Sequence, residues 1–247
     1  MRQLGLPNET CAFDLSVNGF NSTGNYFQNQ SARGLVNLLT FASPNTPGAP
    51  VTNTRGGHPA VDFTTAWYGR MIISPAAWTW IIVFRTNLTG SGDLCDLMQS
   101  LFTNFQANDM PAITEAASVG IYSQVLAWGN WTSGNGLNVY GPVSGNYFAV
   151  GYSGSIGSVQ VLVISNDAMG NRKAQINNGP IITVPITSPI YAMDAASWWR
   201  VGYVANAYAN GSQYMAGHAL YGYAQDMFSV APNTLATAVT NLMADFA

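Results

Sequence analysis

The 247-residue chain is 48% hydrophobic but only 8% charged, where an average soluble domain carries about 25% charged residues. Eight basic and eleven acidic residues leave a net charge of −3, and the arginines are scattered from Arg2 to Arg200 with no basic stripe; this argues against a nucleic-acid-binding surface. Lys173 is the single lysine, so the surface must be built from amides, hydroxyls and aromatic rings, with little charge to hold neighbouring subunits apart.

A chain of this length can bury a substantial core as one domain. The start, Met1–Asn8, has no continuous apolar stretch of the signal-peptide kind, and no run reaches the roughly eighteen apolar residues of a membrane span. Export through a leader and membrane insertion are therefore not expected. Two cysteines, Cys11 and Cys95, could pair, but one pair is no disulfide framework, and two reduced thiols are the favoured reading. Six Asn-x-Ser/Thr sequons, at Asn8, Asn21, Asn29, Asn87, Asn130 and Asn210, arise readily by chance in a chain rich in Asn, Ser and Thr.

Residues 1–30 are polar, with isolated Phe13, Leu15, Phe20, Tyr26 and Phe27 and no sustained period. They read as an arm that docks on a partner, or as a loosely strand-like edge. Residues 31–247 form the main domain. Leu35–Phe41 is a short apolar run, closed by the turn-dense Ser43–Pro50. Ala60–Phe63 and Trp78–Thr86 are the first strong strands, and Leu94–Phe102 fits a strand or a short helical turn equally. Val119–Gly129, Gly136–Tyr140 and Tyr147–Tyr152 follow as strands between Gly, Asn, Ser and Pro turns.

Val159–Ile164 and Lys173–Ile176 read as hairpin arms, with Asn177-Asn178-Gly179 turning the chain and its Asn-Gly supplying the positive φ. Trp198–Val204 and Gly217–Val230 are rich in aromatic and β-branched residues and read as strands. The period then changes. Leu235, Val239, Leu242, Met243 and Phe246 fall at offsets of four, seven, eight and eleven, one face of a helix that Pro232, Asn233 or Thr234 could start. Strands about ten residues apart point to an all-β, antiparallel two-sheet sandwich.

The order of these segments resembles the concanavalin-A-like or laminin-G-like jelly-roll domains, of the type found in phage and bacterial surface proteins. The likeness rests on Gly57-His58-Pro59-Ala60-Val61-Asp62-Phe63, on the core strand Trp78–Arg85, on the Arg172–Gly179 hairpin arm, and on the ending Ala216–Phe246. It spans roughly residues 35–247. It implies a jelly-roll sandwich with a short C-terminal helix, and relatives that either cleave or bind polysaccharides.

The cleaving branch of that fold places Glu-x-Asp-x-x-Glu, or a close variant, along one strand. This chain has only Glu9 and Glu115, neither with an acidic neighbour at that spacing, and lacks the paired carboxylates of glycoside hydrolysis. No Gly-x-Ser-x-Gly occurs, and His58 and His218 read as structural histidines. No catalytic residue and no cofactor are assigned, and an enzyme is not expected. Asp93, Asp96, Asp109 and Asp167 could offer oxygens to calcium, but no Asp-x-Asp-x-Asp loop accompanies them and turn formation accounts for them; no metal site is assigned.

Two aromatic, amide-rich segments that look like loops are the candidate binding residues: Trp128, Asn130, Trp131 and Asn135 in one, and Tyr208, Asn210 and Tyr214 in the other. Flat rings can cover the apolar face of a sugar while amides bind its hydroxyls, and the same residues suit a subunit interface. Trp78, Trp80, Trp198 and Trp199 lie on strands, where core packing explains them. The leading expectation is a non-enzymatic virion structural protein: a bacteriophage capsid decoration, head-fibre or tail-surface module that binds other virion proteins and copies of itself. The alternative is a carbohydrate-binding adhesin module for host-surface polysaccharide.

Overall fold

The computed structural model describes residues 1–16, 18–21, 26–31, 38–40, 51–62, 67–70, 77–86, 100–105, 123–131, 134–140, 147–151, 158–169, 171–184, 198–201 and 215–247. In chain order the strands begin β1 Glu9–Asp14, β2 Phe20–Asn21, β3 Tyr26–Gln28, β4 Leu38–Thr40, β5 Val51–Arg55, β6 His58–Asp62, β7 Trp67–Arg70, β8 Trp78–Thr86 and β9 Ser100–Phe105. They continue as β10 Ser123–Trp131, β11 Gly134–Tyr140, β12 Tyr147–Gly151, β13 Gln160–Asn166, β14 Arg172–Ile176, β15 Ile182–Val184, β16 Trp198–Val201 and β17 Met215–Tyr223. Two helices, α1 Met227–Val230 and α2 Pro232–Asp245, close the chain.

The fold is mostly β, with large antiparallel sheets and a C-terminal helix. An eight-stranded sheet runs β15-β14-β13-β8-β17-β6-β5, with β1 also paired to β17; a nine-stranded one runs β12-β11-β10-β9-β16-β7-β4-β3-β2. In the first sheet the apolar strands β8 and β13 sit side by side in antiparallel register, from Gln160 opposite Phe84 to Asn166 opposite Trp78. Every residue of β13 is buried, as a sheet covered on both faces requires.

The sequence period dictates how α2 is placed. Leu235, Ala238, Val239 and Leu242 recur at helical spacing and pack on Ile81, Val83, Val161, Val163, Ala219, Tyr221 and Tyr223 of the sheet. Leu4, Leu6, Ala12 and Met227 complete this cluster. Each such Leu or Val contributes about 1.5–3 kcal/mol when fully buried. Alternation sends Trp80, Ile82 and Phe84 to the opposite face, where they are buried as well. Gly222 lies between Cys11 and Trp80 in register, and a Cβ there would stand 2.7 Å from the Cys11 sulfur and 2.9 Å from the Trp80 ring. The helix starts at Pro232, whose missing N–H removes no hydrogen bond at a first helical position.

Several sequence expectations change. Residues 224–230 are not strand: β17 ends at Tyr223, and the Asp226 side chain accepts from the Phe228 N–H to cap α1. The positive φ angles of the β14–β15 turn fall on Asn177 (50°) and Asn178 (58°), with Gly179 donating its N–H to the Ile176 carbonyl; the β14–β15 register sets that frame one residue earlier than the Asn-Gly signal suggests. Within the segment 1–30, Glu9–Asp14 is built into the sheet beside β17, with Cys11, Phe13 and Leu15 fully buried. Asn29 fastens the following segment to it, accepting from the Ala12 and Ser31 N–H groups and donating to the Thr10 carbonyl. Of Leu94–Phe102, Ser100–Phe102 belongs to β9 and residues 94–99 lie outside the described residues, as do residues 202–204 of the Trp198–Val204 segment.

One edge of β17 serves two neighbours. Its first half pairs with β6 (Ala216 with Asp62, Gly217 with Val61) and its second with β1 (Ala219 with Asp14 through Tyr223 with Glu9). The register against β8 slips between Gly217 and Ala219, so His218 sits in a bulge at the changeover.

Candidate functional site

The first aromatic segment is a hairpin, not a loop. Trp128, Asn130 and Trp131 are the last part of β10 and Asn135 is in β11, with Trp128 opposite Leu137, Gly129 opposite Gly136, Asn130 opposite Asn135 and Trp131 opposite Gly134. The sequence expectation of a loop gave weight to Asn and Gly; the β-propensity of Trp128 and Trp131 carries the strand to residue 131 instead. Positions 130 and 135 are thus cross-strand partners, with Cα atoms about 4.5–5.5 Å apart, and alternation puts position 128 on their face and position 131 on the other. β11 also pairs with β12, so the hairpin lies at one end of its sheet. Tyr208, Asn210 and Tyr214 lie outside the described residues, as do Cys95, Asp93, Asp96 and Asp109.

The two histidines meet in a buried polar junction. Arg85, at the end of β8 and 7% exposed, donates through Nε to His218 Nε2 at 3.1 Å and through Nη2 to the Phe246 carbonyl. His218, 1% exposed, places Nδ1 2.8 Å from the Pro59 carbonyl. A carbonyl only accepts, so Nδ1 carries the proton and Nε2 presents its lone pair to Arg85. His58 reaches the Ala247 carbonyl at 3.1 Å, and the Phe246 ring lies 5.1 Å from His218 and 5.6 Å from His58. Gly56, at φ 57° in the β5–β6 turn, lies against the guanidinium, so a Cβ there would have to displace Arg85.

Burial, chiefly, pushes His218 down to about 4 against the pull of the Pro59 hydrogen bond, with Arg85 and His58 adding repulsion. Burial also lowers Arg85. A neutral histidine held by Arg85 and by a carbonyl is structural, as the sequence suggests.

A second polar cluster ties α1 to the sheet. Asp226 accepts from Lys173 at 2.6 Å, from the Ser229 hydroxyl at 2.6 Å, from the Ser165 hydroxyl at 2.9 Å and from the Phe228 N–H at 3.1 Å. Asp167 is a turn residue. It accepts from the Met169 and Asn171 N–H groups and the Asn171 side-chain amide between β13 and β14. Burial works to raise its pKa, but these bonds and nearby Lys173 outweigh it and hold the carboxyl below its usual value. Among the described residues no group of three or more His, Cys, Asp or Glu side chains is placed to hold a metal. Cys11 is a buried thiol whose pKa burial raises. Among the described residues no helix is long and apolar enough to cross a membrane.

The sequence reading missed Arg85 and Asp226. In a chain with 8% charged residues, a charge flanked by strand residues must find a partner when buried, and that signal was present at both positions.

No protein-family model matches the sequence, and no curated protein matches it. Solved structures do resemble the fold. A botulinum neurotoxin type C structure, of a protein whose cell entry is described as dependent on two ganglioside molecules, matches at TM-score 0.55 and 10% identity over 95% of this chain and 51% of its own. The binding domain of Paraclostridial Mosquitocidal Protein 1 matches at TM-score 0.53 and 9% identity over 99% of this chain and 52% of its own. Trypanosoma rangeli sialidase, in complex with a difluoro-KDN compound, matches at TM-score 0.56 and 10% identity over 98% of this chain and 33% of its own. The chain therefore spans about half of the toxin chains and a third of the sialidase, and shares with those parts a fold.

Proposed function

We propose that the chain is a non-catalytic carbohydrate-binding module, built as a two-sheet jelly-roll sandwich of the concanavalin-A-like kind. The observation that carries the reading is a fold likeness, over 95–99% of the chain, to proteins described as binding domains or tied to gangliosides. At 9–10% identity no binding residue carries over from those proteins, so the binding surface is sought among this chain's own residues. The β10–β11 hairpin is the candidate: positions 130 and 135 are cross-strand partners, position 128 falls on the same face by strand alternation, and position 131 ends β10 on the other face. Amides bind sugar hydroxyls and indole rings cover the apolar face of a pyranose. Tyr208, Asn210 and Tyr214 are proposed as a second contributor.

Sialylated oligosaccharides are the first ligands to test, given the ganglioside and sialidase connections of the fold relatives. Catalysis has little to work with: Glu9 and Glu115 are the only glutamates, and Asp226 is spent in its ion pair. Screening the full chain against immobilised neutral and sialylated glycans tests the proposal. Saturable binding to a subset supports it; uniform background across all of them ends it.

The virion role is the second reading, and its support is the scarcity of charge, which suits a subunit packed among others. In that reading the protein resides on a phage particle and binds its neighbours and further copies of itself. Recovery of the protein in purified particles supports it, and its absence from every particle fraction excludes it.

A further inference from the structure

The junction around Arg85 joins two buried titratable groups, Arg85 and His218, to the half-buried His58 and to the end of α2. β8 supplies Arg85, β17 supplies His218, the β5–β6 hairpin supplies His58 and the Pro59 carbonyl, and the end of α2 supplies the Phe246 carbonyl and ring. The hydrogen-bond roles are fixed by chemistry. His218 is a donor at Nδ1 toward Pro59 and an acceptor at Nε2 toward Arg85, so its neutral tautomer alone satisfies both partners.

A proton added to His218 can go only on Nε2. That nitrogen then points an N–H at the Arg85 N–H, and two cations face each other at 3.1 Å where a hydrogen bond had been. Arg85 cannot shift toward the β5–β6 turn, because Gly56 already lies against the guanidinium. It has to withdraw, and the Phe246 carbonyl loses its donor with it. Among the described residues the charged groups acting on His218 are Arg85 and His58, and both oppose an added proton. The register sets Asp62 of β6 opposite Ala216 and Asp14 of β1 opposite Ala219, while Asp245 on α2 is paired with Arg2 at 3.2 Å.

We propose that this junction is an acid-opened latch: protonation of His218 releases Arg85 from Phe246 and frees the last turn of α2 from the sheet. The rest of α2 stays docked through Leu235, Ala238, Val239 and Leu242, which pack on the sheet independently of the junction. The site of opening is the α2 end and the β5–β6 turn together, because His58 reaches Ala247 across the same gap.

Hydrogen exchange of the full chain, corrected for the intrinsic rate at each pH, tests the latch alongside an NMR titration of the histidine rings. The expected result is a loss of protection of about tenfold or more at residues 243–246 between about pH 6 and about pH 3.5, with β13 amides still protected. Its midpoint should coincide with that of the His218 ring, and the His218→Gln variant should lack the step. Unchanged protection at 243–246 while His218 titrates overturns the proposal, as does an identical loss in His218→Gln. Should that variant fail to fold, coincidence of the two midpoints in the unsubstituted chain decides the matter: coincidence supports the latch and separation rejects it.

Discussion

Lys173 and Asp226 form a 2.6 Å ion pair that joins strand β14 to the cap of helix α1. The chain's single lysine is thus a structural cation. Its carboxylate partner is 5% exposed and accepts three further hydrogen bonds, from Ser165, Ser229 and the Phe228 N–H. The two partners therefore differ in what their loss leaves behind. Asp226→Ala strips the cap, orphans the buried Ser165 hydroxyl and leaves Lys173 only Ser229 and the more distant Asp167, and should cost about 3–5 kcal/mol. Lys173→Met leaves the carboxylate with its other donors and should cost about 1–3 kcal/mol. Urea midpoints at unchanged m-value check the ranking, and a larger loss for Lys173→Met would refute it.

Gly222 is set by the side chains on either side of it. Its neighbours in register are Cys11 and Trp80, and any Cβ would stand within 3.0 Å of both. Gly222→Ala should therefore lower stability by about 1–3 kcal/mol through overpacking, despite the better strand propensity of alanine. Combining it with Cys11→Ala, which removes the sulfur, should recover part of the loss beyond additivity. Thermal melts of the four proteins of this cycle measure the coupling; strict additivity would show that the sulfur is not the obstacle.

The elements best read from sequence were those whose burial follows a single period. Leu235, Val239 and Leu242 form the buried stripe of α2, and Trp78–Thr86 forms a nine-residue strand with the bounds expected from its residues. What was not legible depended on side chains acting across the chain. Residues 224–230 carry strand-like composition, and only the Asp226 carboxylate, held by Lys173 from 53 positions earlier, makes the helix turn there. β1 has a weak period of its own, and becomes a strand because β17 offers an edge that β6 covers only in part. The Trp128–Asn135 segment has loop-like composition but hairpin register, since local amides do not outweigh pairing across β10 and β11.

His218 makes stability depend on pH in a defined window. Its pKa in the folded chain is about 4, below the ordinary 6.5, so between these values the unfolded chain holds more protons. Stability is then complete above about pH 6.5, falls as the pH drops toward about 4, and is flat below in this respect, a loss of about 3 kcal/mol in total. Asp167, whose pKa is lowered, acts in a separate window, losing its contribution only as the pH falls below the usual carboxylate range. Denaturation midpoints of the chain and of His218→Gln across this range separate the two, the variant being flatter above about pH 4. Parallel curves would place the acid sensitivity elsewhere.

Binding of a glycan at the β10–β11 hairpin is the central claim, and the most direct measurement is calorimetric titration of the full chain and of Trp128→Ala, at the position that shares the face of 130 and 135, with a sialylated oligosaccharide. Circular dichroism and melting temperature of the variant, set beside those of the parent, separate lost binding from lost folding. The account predicts saturable binding that weakens about tenfold or more in the variant, the loss of one stacked ring costing about 1.4 kcal/mol or more. Equal affinity in both proteins, or no heat in either with sialylated and neutral glycans alike, would contradict it.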